Sequence, residues 1–163
     1  MKKFLLAFIA IFTFAFATAQ EATTPGFSKN DLFVTGSFSY SDATENFNFS
    51  ASANTFVTSN ISVGAGFTRT QVGDLKTNDI TANVRNYFTP ANQFSLFGEF
   101  RVAKNIDGNP NFNLQVNPGI NYFISKSFSL ETKLGLIGYD TETEDFAFGT
   151  DLTNITFGLN YRF

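Results

Sequence analysis

The chain has 163 residues, 23 of them phenylalanine, with a formal net charge of −3 and a mean hydropathy of −0.03. It contains no cysteine and no histidine, which excludes a disulfide framework and removes the commonest general base and the commonest transition-metal ligand. An acidic chain does not attract nucleic acid, so we expect no nucleic-acid partner. The composition argues against an enzyme, and we expect no catalytic residue and no cofactor.

The first 19 residues have the three parts of a secretory signal peptide. A basic start at Lys2 and Lys3 precedes a nearly unbroken apolar run over residues 4–16. Ala17 and Ala19 then occupy the small-residue positions that signal peptidase reads. The apolar run is shorter than the ~20 residues that a membrane-spanning helix needs, so we expect cleavage after Ala19. Residues 20–30 show no alternation and contain Pro25-Gly26, which predicts a flexible lead-in in the periplasm.

From about residue 31, apolar and polar residues alternate with a period of two, which is the pattern of strands with one apolar face. Eight strands are predicted, near residues 32–40, 46–56, 61–70, 77–88, 93–104, 111–123, 127–139 and 148–163. Short turns after an aromatic residue alternate along the chain with longer, more charged connections. An even number of strands joined in this way is typical of transmembrane barrels. The sequence therefore predicts an all-β, eight-stranded antiparallel up-and-down transmembrane β-barrel over residues 31–163.

The alternation alone is compatible with two architectures. A soluble barrel would turn its phenylalanines inward around a hydrophobic ligand, whereas a membrane barrel turns them toward lipid and keeps a polar lumen. Aromatic residues recur near the strand ends, where interfacial girdles lie, namely Phe56, Tyr87, Phe88, Phe94, Tyr122, Phe123, Phe128 and Tyr161. Charges of both signs share the opposite face and predict a lumen charge network, consisting of Arg85, Glu99, Arg101, Glu131, Lys133 and Arg162. These features favour the membrane barrel.

Two further groups of charges have alternative interpretations. The lumen charges could form a polar plug that keeps the strands closed, or they could gate a narrow pore. Residues 140–145 include four carboxylates, with Asp151 nearby, and such oxygen ligands suit Ca²⁺ or Mg²⁺. The segment lacks the glycine-bearing spacing of a calcium loop, however, so we interpret it as a solvated loop and expect no metal site.

The last predicted strand carries a more specific pattern. Its apolar positions are Ile155, Phe157, Leu159, Tyr161 and Phe163. This terminal alternation resembles the C-terminal signature of bacterial outer-membrane proteins, and the chain from residue 31 onward resembles the outer membrane protein A/X-like family of eight-stranded, porin-family barrel domains. The Phe- and Asn-rich composition is similar to that of members from the Bacteroidota. The chain has no Trp, so Phe and Tyr would have to supply the girdles.

The resemblance implies a monomeric protein of the cell outer membrane with both termini in the periplasm. Its partners would be the membrane lipids and the barrel assembly machinery, which reads the final strand during insertion. The leading function is a structural or surface role in envelope integrity or adhesion, with a largely plugged lumen. A narrow porin-like channel for ions or small solutes is the second possibility, and a soluble barrel for a hydrophobic ligand is the third.

Overall fold

The computed structural model describes residues 25–41, 46–107, 111–141, 144–148 and 155–163. The predicted signal peptide with Ala17 and Ala19, residues 20–24 and Asp151 lie outside the described residues. The strands are β1 (Leu32–Ser41), β2 (Asn46–Phe56), β3 (Ile61–Val72), β4 (Leu75–Tyr87), β5 (Phe94–Asn105), β6 (Phe112–Phe123), β7 (Phe128–Lys133), β8 (Ile137–Asp140), β9 (Phe146–Phe148) and β10 (Thr156–Arg162). Within these ranges no helix is both long and apolar enough to cross a membrane.

The strands form one closed antiparallel sheet. Strands β1 to β6 pair in sequence order, and β7 and β8 both pair with β6 as two halves of one interrupted strand. Strand β9 pairs with β8, and β10 pairs with both β7 and β1, which closes the barrel. Counting β7–β8 and β9–β10 as one strand each gives the predicted eight. The all-β, eight-stranded antiparallel barrel is confirmed, although residues 149–154 of the predicted eighth strand lie outside the described residues.

The apolar face of the sheet points outward. Phe38, Phe67 and Phe100 are well exposed on the outside, whereas Arg85 and Glu99 are almost completely buried inside. The long strands β1 to β6 alternate in this way because consecutive side chains of a strand point to opposite faces of the sheet. The barrel thus has an apolar exterior and a polar interior, and the predicted membrane architecture applies instead of the soluble one.

The two ends of the barrel differ in their connections. At one end, here called the turn end, lie the short turns 57–60, 88–93 and 124–127 together with residues 25–31 and Phe163. At the other, here called the loop end, lie the tight turn at Gly73 and Asp74 and the described residues 106, 107, 111, 141, 144 and 145. Gly73 has a φ of 56°, the left-handed conformation that glycine adopts at little cost.

The seventh predicted strand, 127–139, is interrupted by a β-bulge. Gly119 pairs with Lys133 and Val116 pairs with Ile137, so residues 134–136 oppose only two residues of β6. One of those two is Pro118, which has no N–H to donate and is tolerated within sheets mainly at edges and bulges. The predicted strand 127–139 is therefore interrupted at residues 134–136, which its alternation did not indicate. The extra residue reverses the alternation and leaves Ile137 and Tyr139 in register with outward-facing Val116 and Leu114.

Candidate functional site: the filled lumen

A layer of aromatic side chains closes the turn end from inside. It consists of Phe27, Phe33, Phe56, Tyr87, Phe97 and Phe123, all of them buried. Phe27 lies at its centre, with ring centroids 4.7 Å from Phe33, 4.9 Å from Phe56 and 4.8 Å from Phe123. Aromatic pairs at these separations attract one another beyond the effect of burial alone. The ring of Phe97 fills the space where a side chain at Gly119 would lie.

Phe27 is the main difference from the sequence-based prediction at this end. Residues 25–30 were expected to belong to a flexible lead-in, but Phe27 is only 1% exposed, and its backbone N–H donates to the Pro90 carbonyl at 2.6 Å. Gly26 has a φ of 120° and packs so closely against Ala91 that a Cβ would overlap its backbone. The segment therefore enters the barrel and makes fixed contacts there.

The aromatic girdle predicted from the sequence is only partly on the outside. Phe56, Tyr87 and Phe123 point inward and belong to the aromatic layer. Phe88, Phe94 and Tyr122 are exposed on the exterior. Phe128 is buried, with its ring centroid 5.0 Å from that of Tyr161. These three residues occupy lumen-facing positions at the ends of their strands. The presence of an aromatic residue near a strand end does not by itself show which face of the sheet it occupies.

Four of the six predicted lumen charges lie together directly above the aromatic layer. Arg85 on β4 is 1% exposed and donates from Nε to Glu99 on β5 at 2.7 Å. It also donates from Nη1 to Glu131 on β7 at 2.8 Å, across the lumen. Lys133 Nζ lies 3.2 Å from Glu99 and 3.7 Å from Glu131. Each buried carboxylate is thus shared by two cations, the arrangement that compensates the desolvation of buried charges.

Arg85 also joins the charges to the aromatic layer. Its Nη1 donates to the Tyr87 hydroxyl at 3.3 Å. Its guanidinium carbon lies 5.2 Å from the ring centroid of Phe97 and 5.9 Å from that of Phe33, within the range of cation–π attraction. The two layers are therefore in direct contact, one above the other.

The structure places the other two predicted network members elsewhere. Arg101 lies on the loop-end side of Arg85 and donates to Thr68 Oγ1 at 2.6 Å and to Gln115 Oε1 at 3.4 Å. Arg162 lies at the turn end, where its guanidinium contacts the Gly26 carbonyl and forms an ion pair with Asp31 at 3.3 Å. Arg162 thus holds the segment that carries Phe27, a role that its lumen-facing position alone did not indicate.

Buried amides extend the polar filling around the charges. Asn160 on β10 donates to Asn121 on β6 at 2.8 Å and to Glu131 at 3.2 Å, and it accepts from Thr35 on β1 at 2.6 Å. Asn83 on β4 donates to Asn54 on β2 at 2.9 Å. The bonds from Asn160 to Asn121 and from Asn83 to Asn54 join strands that are not neighbours in the sheet. Alternation places Asn121 and Asn160 on the same face as the lumen charges, but it does not indicate their partners.

The side chains of the described lumen fill the interior and pair with one another. Its carboxylates are paired with cations, and the part of the chain that the structure describes contains no group of three or more His, Cys, Asp or Glu placed to hold a metal. In the acidic loop, Asp140, Glu144 and Asp145 are described, whereas Glu142 lies outside the described residues. One small cavity, of about 20 Å³, remains on the loop-end side of Arg85.

The residues of the C-terminal signature lie along β10 and on either side of it. Phe157 and Phe163 are exposed on the exterior, and Ile155, Leu159 and Tyr161 are partly exposed. Strand β10 pairs along both edges, with β1 and with β7, and the Phe163 N–H donates to the Leu32 carbonyl at 3.0 Å. The signature residues therefore lie at the strand that closes the barrel.

Comparison with known proteins identifies the fold. No protein-family model matches the chain, and no curated protein sequence matches it. A de novo designed transmembrane β-barrel has a TM-score of 0.59 at 13% identity, covering 85% of this chain and 99% of that one. The N-terminal β-barrel domain of Pseudomonas aeruginosa OprF has a TM-score of 0.59 at 12% identity, covering 84% of this chain and 100% of that one.

The Yersinia pestis outer membrane protein Ail, solved in phospholipid bilayer nanodiscs, has a TM-score of 0.54 at 12% identity, with coverage of 83% of this chain and 100% of that one. At such low identity the likeness concerns architecture and not activity. The likeness agrees with the apolar exterior and polar lumen described above. The chain has the fold of an eight-stranded antiparallel transmembrane β-barrel.

Proposed function

We propose that this protein is an integral outer-membrane barrel with a closed lumen and a structural or surface role, in envelope integrity or adhesion, and not a catalyst. The observation that carries the proposal is the double filling of the lumen. Phe27 and rings from five strands form one buried layer at the turn end, and the ion pairs of Arg85 span the lumen directly above them. A barrel of eight strands has an interior that its own side chains can fill.

The proposal includes an orientation in the membrane. Short turns face the periplasm in barrels of this kind and longer connections face outward, so the turn end and the described termini would be periplasmic. The exposed apolar side chains would contact the membrane lipids, and the barrel would act as a monomer. The signal peptide of residues 1–19 would be removed during export.

Fractionation and gel mobility test the membrane location. The mature chain should be found in the outer-membrane fraction, and its unboiled form should migrate differently from its boiled form in detergent gels. A closed barrel keeps its sheet in detergent until it is heated, because it has no free edge from which to unravel. A chain that remains soluble and shows no mobility shift would contradict the proposal.

Charge reversal tests the closed lumen against the gated pore. Glu131→Lys would place a third cation beside Arg85 and Lys133 and should lower the temperature at which the folded band disappears. Asp74→Lys, at an exposed loop-end turn, is the matched control and should leave that temperature unchanged. In planar bilayers the wild-type protein should show no steady conductance. Unchanged heat resistance of Glu131→Lys together with an altered conductance would support the pore instead.

Thiol labelling tests the orientation, since the chain contains no cysteine of its own. Asp74→Cys at the loop end should react with a bulky maleimide in intact cells. Ser59→Cys, equally exposed but at the turn end, should react only after the outer membrane is opened. The opposite pattern would reverse the proposed orientation.

We also propose that the barrel assembly machinery reads the C-terminal strand. Removal of Phe163 should reduce the amount of barrel in the outer membrane of cells. Refolding of the same purified chain into detergent should be little affected, because the contacts shown for Phe163, a hydrogen bond to Leu32 and a ring contact with Tyr161, lie at the exposed end of the seam. Equal losses in cells and in detergent would indicate a purely structural role for Phe163.

A further inference from the structure

The cavity on the loop-end side of Arg85 has an unusual lining. Its volume is about 20 Å³, which is room for roughly one particle of the size of a water molecule. Hydroxyl groups and cationic side chains dominate its wall, among them Ser52, Thr68, Arg101 and Lys133, while Glu99 is the single carboxylate in that wall. The cavity is thus lined mainly by hydrogen-bond donors.

The donors at this cavity outnumber the acceptors that the surrounding residues supply. A guanidinium group has five N–H donors, and the two partners of Arg101 are Thr68 and Gln115. Thr68 Oγ1 accepts from Arg101, and Ser52 Oγ accepts from Asn54, so both hydroxyl hydrogens are available to donate elsewhere. A ligand that only accepts hydrogen bonds would suit this lining.

The charges around the cavity also favour a ligand that accepts hydrogen bonds. Three cations, Arg85, Arg101 and Lys133, share the middle of the lumen with two carboxylates. Within the described residues, no carboxylate oxygen lies within 4.0 Å of the Arg101 guanidinium, and Arg101 forms none of the ion pairs there. Glu99 in the cavity wall, and after it Asp79 on β4, also act on Arg101 electrostatically. A half-buried guanidinium with no carboxylate oxygen within 4.0 Å keeps N–H donors that suit an anion.

We propose that this cavity binds a small monovalent inorganic anion of the chloride class, held by Arg101 and Lys133 and by the hydroxyl groups of Thr68 and Ser52. The anion reaches the cavity from the loop end and does not cross the barrel, since the aromatic layer around Phe27 closes the other end. The site goes beyond the proposed structural function, and its presence does not depend on that function.

Chloride-linked folding tests the site. The mature wild-type barrel, refolded in uncharged detergent, is unfolded in urea at constant ionic strength while gluconate is replaced by chloride. Gluconate serves as the reference because it is too large for the cavity. An anion that binds only the folded state raises the folding equilibrium constant by 1 + [L]/Kd, which is about 11-fold at ten times Kd. The wild-type protein should show this increase, and ³⁵Cl NMR should show its chloride signal broadened.

Matched variants locate the effect. Arg101→Gln should abolish both the chloride-linked increase and the line broadening, whereas Arg69→Gln, on the exposed outer face of β3, should retain both. Thr68→Val, which removes one hydroxyl donor at nearly constant volume, should weaken both effects and decides the matter if Arg101→Gln does not fold. Equal chloride dependence in wild type, Arg101→Gln and Thr68→Val, or none in the wild type, would overturn the proposal. A steady bilayer conductance would contradict only the closed lumen.

Discussion

At the scale of single residues, the interior depends on a few side chains that touch many partners. Phe27 lies between rings from four strands, with centroid distances of 4.7–5.3 Å. Arg85 similarly contacts two carboxylates, one hydroxyl and two rings. Loss of either side chain removes several interactions at once, so single substitutions here should have large effects.

Phe27→Ala should lower the free energy of unfolding by about 3 kcal/mol, the lower end for deletion of a buried phenylalanine. The reason is the cavity left among the four surrounding rings. Urea unfolding in detergent measures the change. Lys29→Ala, two residues away and exposed, is the control and should be close to neutral. Equal stability of Phe27→Ala and wild type would mean that the segment of residues 25–31 does not stay inside the barrel.

Arg85→Met should cost about 3–5 kcal/mol, because it leaves Glu99 and Glu131 buried without their main partner. Glu131→Gln should also destabilise the barrel, and the double variant should cost less than the sum of the two single changes. A double-mutant cycle in urea measures this coupling. Arg69→Met on the exterior serves as the control for loss of a charge. Additive effects of the two lumen substitutions would contradict a shared ion-pair network.

At the scale of strands and turns, the bulge opposite Pro118 determines which face residues 137–140 present. Deletion of Gly135 would leave two residues opposite two, so regular alternation from Lys133 would keep Ile137 and Tyr139 on the outer face with their present partners. We expect the folded, heat-modifiable band to be retained. Gly135→Ala is the matched control and should fold normally, since a Cβ at this exposed position meets no atom within 4 Å. Loss of the folded band in the deletion variant would show that the bulge itself is required, and not only the outward register of Ile137 and Tyr139.

The strands were predictable because alternation is a local signal, and six of the eight strands begin and end within three residues of their predicted positions. The bulge was not predicted, although Pro118 within a strand could have indicated it. The burial of Phe27 has no local signal, because its partners come from distant strands. Alternation also gave the lumen-facing charges but not their partners. Which lumen side chains form ion pairs depends on how far along the barrel axis each one lies. Arg162 lies at the turn end and Arg85 lies farther toward the loop end, so the two belong to different clusters.

At the scale of the whole molecule, the polar bonds of the lumen should make the barrel unfold as one unit. Strand pairing connects each strand only to its two neighbours. The lumen adds connections between strands that are not adjacent, such as Arg85 on β4 with Glu131 on β7, and Asn160 on β10 with Asn121 on β6. Opening any one region therefore breaks contacts in several others, which is the condition for a cooperative transition.

We expect tyrosine fluorescence and gel mobility to report the same urea midpoint. The chain has five tyrosines and no Trp, and Tyr87 lies in the aromatic layer, so the fluorescence follows the turn end while mobility follows the closed sheet. In Tyr87→Phe the tyrosine fluorescence of that layer is lost, but the mobility midpoint should change little. This variant would show that the fluorescence change comes from Tyr87. If the wild-type fluorescence changed at a clearly lower urea concentration than the mobility, the aromatic layer would open on its own. The turn end would then be a separately moving closure on a barrel that remains intact.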